Sequence, residues 1–72
     1  MSVVALVGCG FVADLYMRSL VGFPHVTVLG AHDRDHARMA AFCAHWKIPA
    51  LAGMDDLFAA MPRDGVILNL TN

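Results

Sequence analysis

Seventy-two residues, 58% of them hydrophobic and only 15% charged, make a chain that is both short and apolar; an average domain carries roughly 25% charged residues and spans about 100–150 positions. The hydrophobicity excludes disorder, and a net charge of -1, with single basic residues at Arg18, Arg34, Arg38, Lys47 and Arg63, offers no stripe for a nucleic-acid backbone. Two cysteines allow one disulfide at most, and the longest apolar run is broken by Asp14 and Arg18 before it reaches the ~20 residues of a membrane span. No basic stretch precedes that run as one would in a signal peptide. Free thiols without an export signal predict a reducing, cytoplasmic setting and no membrane partner. The composition reads as a segment whose apolar surface is completed by more chain or by a partner.

Ser2-Val3-Val4-Ala5-Leu6-Val7 is short, rich in β-branched residues and ends at glycines, the pattern of a strand buried on both faces of a parallel sheet. From Phe11 to Leu20 the spacing becomes helical, with Val12, Leu15, Tyr16, Ser19 and Leu20 on one predicted face, and Gly22 and Pro24 end the helix. His25 to Ala31 reads as a second strand. Asp33 and Asp35 suit the capping and first turn of a helix running to about Trp46, in which Ala37, Ala40, Ala41 and Ala44 form a small-residue stripe expected to sit close to the sheet. Ile48 to Leu51 is predicted as a minimal third strand. Gly53 opens a short helix with Asp55 and Asp56 in its first turn, where carboxylates suit the helix dipole; Leu57, Phe58 and Met61 give it an apolar side and Pro62 ends it. Gly65 to Leu70 is the fourth strand.

The predicted order is therefore β-α-β-α-β-α-β, an α/β chain with a parallel sheet and helices on its faces. Such a fold is a partial Rossmann-type doubly wound sheet, and a complete one has more strands. Residues 1–72 are thus expected to be the N-terminal part of a dinucleotide-binding domain, with the rest of that domain and a C-terminal catalytic domain lying outside them.

Gly8-Cys9-Gly10-Phe11-Val12-Ala13 fits G-x-G-x-x-[G/A] between the first strand and the first helix. Gly8 allows the tight turn, Gly10 leaves room for a pyrophosphate beside the backbone, and Ala13 lets the helix lie close to the strand. The helix N-terminus offers unpaired N–H groups and partial positive charge to the phosphates. Asp33 follows the second strand at the distance from this loop, about 20 residues, where an acid accepts hydrogen bonds from the adenosine ribose; it favours NAD over NADP by repelling a 2′-phosphate. Arg34 beside it can stack on adenine or compensate a 2′-phosphate. Without a ligand, the same residues make a plain turn and a helix cap. Asn69-Leu70-Thr71-Asn72 ends the fourth strand, where α/β sheets bind ligands, so these side chains either reach the cofactor or simply terminate the strand.

Other features weigh less. His25, His32, His36 and His45 do not form a convincing metal set, because the i, i+4 pair His32 and His36 straddles a strand end and a helix start. Cys9 lies where a helix terminus can lower a thiol pKa but reads better as a small buried loop residue. Phe42, Met39 and Trp46 read as packing residues, and the helical position of Tyr16 favours packing as well. No catalytic constellation is present, so any acid–base residue is expected from other sequence.

The whole chain resembles the N-terminal half of the Gfo/Idh/MocA oxidoreductases. The resemblance is carried by Val7-Gly8-Cys9-Gly10-Phe11-Val12-Ala13, by Ala31-His32-Asp33-Arg34-Asp35 leading into the alanine-rich helix, by Ile48-Pro49, by Met54-Asp55-Asp56-Leu57-Phe58, and by Asp64 through Asn72. It implies a cofactor-contacting set of Gly8, Gly10, Phe11, Val12, Asp33, Arg34, Leu70, Thr71 and Asn72, with Ala13 completing the loop motif. It also implies hydride transfer between NAD, or NADP, and a sugar, polyol or related small-molecule substrate in a cytoplasmic homo-oligomer, with the catalytic group in a second domain. Tyr16 stands where many relatives have His, and Lys47 where a helix-ending Gly is common. A non-catalytic nucleotide-sensing module is the alternative from another class; an S-adenosylmethionine methyltransferase, with a similar loop and acid, is a third.

Overall fold

β-Branched and apolar residues make Ser2–Val7 the first strand, β1, and the computed structural model, which describes residues 2–71, places it at the centre of a parallel sheet. On one side β1 pairs with Val26–His32 (β2), and on the other with Val66–Asn69 (β3), giving the order β2-β1-β3. The three helices are Phe11–Leu20 (α1), His36–Trp46 (α2) and Met54–Ala60 (α3). The register of β1 on β2 shifts between Val4 and Ala5, so that Leu6 stands opposite Ala31 and Val7 opposite His32. Across the other edge Val7 stands opposite Asn69. The C-terminal ends of all three strands thereby lie side by side.

The expected third strand at Ile48–Leu51 is not formed, and the described residues make an α/β protein with three strands and three helices. Ala50 alone makes a parallel bridge, to Ala31, flanked by hydrogen bonds from Ala31 N–H to the Pro49 carbonyl (3.1 Å) and from Leu51 N–H to the Ala31 carbonyl (2.8 Å). Pro49 has no N–H to donate to a ladder, and the segment begins directly after a left-handed turn at Lys47. The approach is nevertheless close: a Cβ at Gly30 would stand 2.6 Å from the Pro49 carbonyl oxygen.

The main core lies between β1, α1 and α2. Val4, Leu6, Cys9, Ala13, Met17, Ala31, Met39, Phe42 and Cys43 form one buried cluster. Strand alternation turns Ala5 to the opposite side, where it is fully buried, as is Leu57 of α3, a helix that lies against β2. Both predicted helix faces are corrected. In α1 the sheet-facing residues are Ala13 and Met17, while Val12, Leu15 and Tyr16 stay on the outside. In α2 the buried residues are Met39, Phe42 and Cys43, and Ala37, Ala40, Ala41 and Ala44 are all exposed. In α2 the bulky side chains remove more apolar surface from water than alanines do, so the larger face takes the interior. In α1 the small Ala13 lets the helix lie close to the strand, and the bulkier Val12, Leu15 and Tyr16 are left outside. Trp46 ties the two helices together by donating its indole N–H to Asp14 Oδ1 at 2.8 Å.

Capping explains where α2 begins and ends. Asp35, its N-cap, accepts the Arg38 N–H on its side-chain oxygen at 3.1 Å. At the other end Lys47 takes the left-handed conformation (φ 58°, ψ 46°) usually reserved for glycine, and the next N–H, that of Ile48, returns to the Cys43 carbonyl at 3.0 Å. Among the described residues, no helix is long and apolar enough to cross a membrane.

Candidate functional site

Gly8 is the point on which the strand ends converge. Its φ of +97° is one that residues with a Cβ rarely adopt, and a Cβ there would lie 3.0 Å from both the Leu70 carbonyl carbon and the Thr71 nitrogen. Its own N–H donates to the His32 carbonyl (2.7 Å), and the Leu70 N–H donates to the Val7 carbonyl (2.7 Å). The loop after β1 is thus laced to the end of β2 on one side and to the tail of β3 on the other.

Asp33 makes the second tie. Its Oδ2 accepts the Cys9 N–H at 2.8 Å, and its Oδ1 accepts the Asp35 N–H at 2.8 Å. Burial opposes ionisation of this carboxyl, but the N–H donors of Cys9 and Asp35, with the Arg38 guanidinium and His32 nearby, outweigh it and hold the pKa below the ordinary value. Each carboxylate oxygen has further lone-pair capacity, so both can accept from a ligand while remaining bonded to the loop.

Between these ties opens a cleft of about 520 Å³. Of the residues expected from sequence, Gly8, Gly10, Phe11, Val12, Asp33, Arg34, Leu70 and Thr71 line it. Ala13 does not. It is fully buried in the core beneath α1, and it serves the close approach of helix to strand rather than the cleft wall. Asn72 lies outside the described residues. Asn69 is not among the lining residues; its Oδ1 accepts both the Thr71 hydroxyl (2.6 Å) and the Thr71 N–H (3.2 Å).

The cleft also takes in residues that sequence reasoning left out, among them His32, Arg38 and Met54. Arg38 lies one helical turn beyond Asp35, and its Nη1 would be 3.8 Å from a Cβ on Gly10; the spacing was readable once the start of α2 was placed. Met54 opens α3, and nothing in its local sequence signals that α3 begins beside this cleft. Cys9 contributes its backbone, while its thiol is buried and pushed up to about 12, chiefly by desolvation and then by Cys43 and Asp33. A thiol held neutral in this way is no nucleophile.

The N-terminus of α1 faces the same space. Its N-cap, Gly10, supplies no side-chain acceptor, which leaves the first-turn N–H groups of the helix without a side-chain cap among the described residues, beside Phe11 and Val12. Phe11 is 77% exposed. The arrangement offers backbone donors and a positive helix end on one wall, a carboxylate with spare acceptor capacity on another, and two guanidinium groups at the rim. The fold and site together define an α/β protein with a cleft of mixed polar and apolar lining at the carboxyl edge of a parallel sheet. No protein-family model and no curated protein matches the chain.

Proposed function

We propose that this chain is the cofactor-binding part of an NAD(P)-dependent oxidoreductase of the Gfo/Idh/MocA type, built on a partial Rossmann-type sheet. The observation that carries the reading is the hydrogen bond from the Cys9 N–H to Asp33 Oδ2, which joins the glycine loop and the acid after β2 into one rigid wall of one cleft. A dinucleotide needs those two elements at a set separation, one for pyrophosphate and one for adenosine ribose. Their positions also fall where β1 has a neighbour on each side, at the carboxyl ends of the strands, the place at which open α/β sheets bind ligands.

The residues fit the group. At Gly10 a Cβ would meet nothing closer than Arg38 Nη1, so the backbone is open to a phosphate. The α1 N-terminus would hold the pyrophosphate through its N–H groups, and Asp33 would accept from the ribose hydroxyls. NAD is the expected cofactor because Asp33 repels a 2′-phosphate; Arg34 and Arg38 at the rim supply the charge by which NADP is also admitted. When bound, the nicotinamide carries the hydride chemistry itself. The chain's own part is to bind, orient and shield the cofactor. Its substrate is proposed to be a sugar, polyol or related hydroxyl or carbonyl compound, with the acid–base group supplied by another domain of a homo-oligomeric enzyme.

Calorimetric titration with NAD⁺ and NADP⁺ tests the reading. The wild type should bind NAD⁺ more tightly, and Asp33→Ala should weaken NAD⁺ while narrowing the gap to NADP⁺. Binding of neither dinucleotide, or identical affinities in wild type and variant, overturns it. A non-catalytic nucleotide sensor is favoured by one feature, the cleft wall without a lysine and with His32 as its imidazole, held by a backbone carbonyl. Hydride turnover by the complete gene product separates the two.

A further inference from the structure

His32 is the imidazole of the cleft wall and is 8% exposed. A buried polar ring needs its nitrogens accounted for. Nδ1 lies 2.7 Å from the Leu51 carbonyl oxygen, and a carbonyl only accepts, so Nδ1 carries the proton. In the neutral ring the other nitrogen, Nε2, then bears a lone pair. Nε2 has no hydrogen-bond partner among the described residues, yet no polar side-chain atom is both sealed from solvent and unpaired. Nε2 is therefore open to solvent, on a residue that lines the cleft.

The surroundings narrow what would meet it. His32 stands opposite Val7 in the register, and the cleft that it lines sets apolar Val7, Met54 and Leu70 beside charged Asp33, Arg34 and Arg38. Phosphate oxygens are acceptors and have no bond to offer Nε2. The ribose is engaged by Asp33, the next residue along. Beyond the ribose comes the base, a flat apolar ring with polar groups on its edge. Resting on the dinucleotide reading above, we infer that His32 reads the base, with Nε2 accepting a hydrogen bond from the 6-amino group of adenine. A purine with a 6-oxo group would instead set its carbonyl oxygen against the Nε2 lone pair and be disfavoured.

The experiment compares NAD⁺ with its hypoxanthine analogue, in which an oxo group replaces the 6-amino group and the adjacent N1 carries a proton. Calorimetry on the wild type should show roughly tenfold tighter binding of NAD⁺, the size of one hydrogen bond gained or lost. His32→Asn keeps an N–H in place for the Leu51 carbonyl and removes the group at Nε2, so the preference should fall to about one. His32→Gln places an amide oxygen near the position of Nε2 and should restore part of it. Thermal melts of both variants report whether the Leu51 tie and the fold survive. Equal binding of the two dinucleotides by the wild type, or a preference that persists in His32→Asn, overturns the role of His32 while leaving dinucleotide binding intact. Failure of the wild type to bind either one overturns the functional reading as well.

Discussion

Of the helices that begin beside the cleft, α1 and α2 treat their N-termini in opposite ways. α2 closes its own: Asp35 caps the Arg38 N–H, and Asp33 takes the Asp35 N–H. α1 starts at Gly10, with no side chain to do the same. Both helices carry the same macrodipole and the same orphan donors. The difference teaches that an N-terminus keeps its donors free only where no side chain caps it, and that a glycine leaves the space beside it open by what it lacks. The capped helix meanwhile lends its first turn to a structural task, fixing Asp33 against the glycine loop.

The comparison breaks most severely at Gly8. Gly8→Ala forces a Cβ against the Leu70–Thr71 backbone at a positive φ and should cost about 2 kcal/mol in a denaturant melt, with loss of NAD⁺ binding. A melt that does not move would show that the β3 tail does not pin the loop. The next effect comes from exchanging the two caps. Asp35→Ala should lower stability by about 1 kcal/mol and leave NAD⁺ affinity nearly unchanged. Gly10→Asp should keep or slightly raise stability but weaken NAD⁺ at least tenfold, because its carboxylate takes the amides and repels the phosphates. Equal effects of both substitutions on affinity would erase the distinction between the helices.

A smaller effect concerns acid. The folded Asp33 carboxyl titrates below its ordinary value, so its stabilising contribution is complete above the usual carboxylate range and fades as pH falls toward the lowered folded value. Asp33→Asn has no such proton to take up, and its stability should vary less between neutral and acid pH than that of the wild type. Parallel pH profiles would remove Asp33 as the loop's electrostatic tie. The smallest effect lies at the far end of α2. Lys47→Gly relieves a left-handed conformation and should raise stability by up to about 1 kcal/mol, with no change at the cleft.

Much of the local structure was readable because local chemistry decides it. Ser2–Val7 and Phe11–Leu20 form the elements their patterns predict, Asp35 caps where a capping residue was expected, and Gly8 takes the conformation its place in the loop requires. The fourth predicted strand forms as β3, and eight of the ten expected cofactor residues line one cleft. The helix faces were misread for a physical reason. In a chain this apolar, α1 has hydrophobic residues on both sides, so periodicity alone does not choose between Val12-Leu15-Tyr16 and Ala13-Met17. The strand expected at Ile48–Leu51 failed through the missing donor of Pro49, and its backbone became a single bridge.

The amino-acid sequence by itself determined the first strand and helix, the Asp35 cap and the glycine turn, since each depends on neighbours within a few positions. Only the tertiary structure decided which helix faces are buried, that Asp33 bonds the Cys9 amide across twenty-four positions, and that His32, Arg38 and Met54 share the cleft. Those outcomes depend on how β1 sits between β2 and β3, a pairing of segments distant in the chain. The same pairing explains the hydrophobic composition in part: β1 is covered on both faces and along both edges, so its residues could be almost wholly apolar.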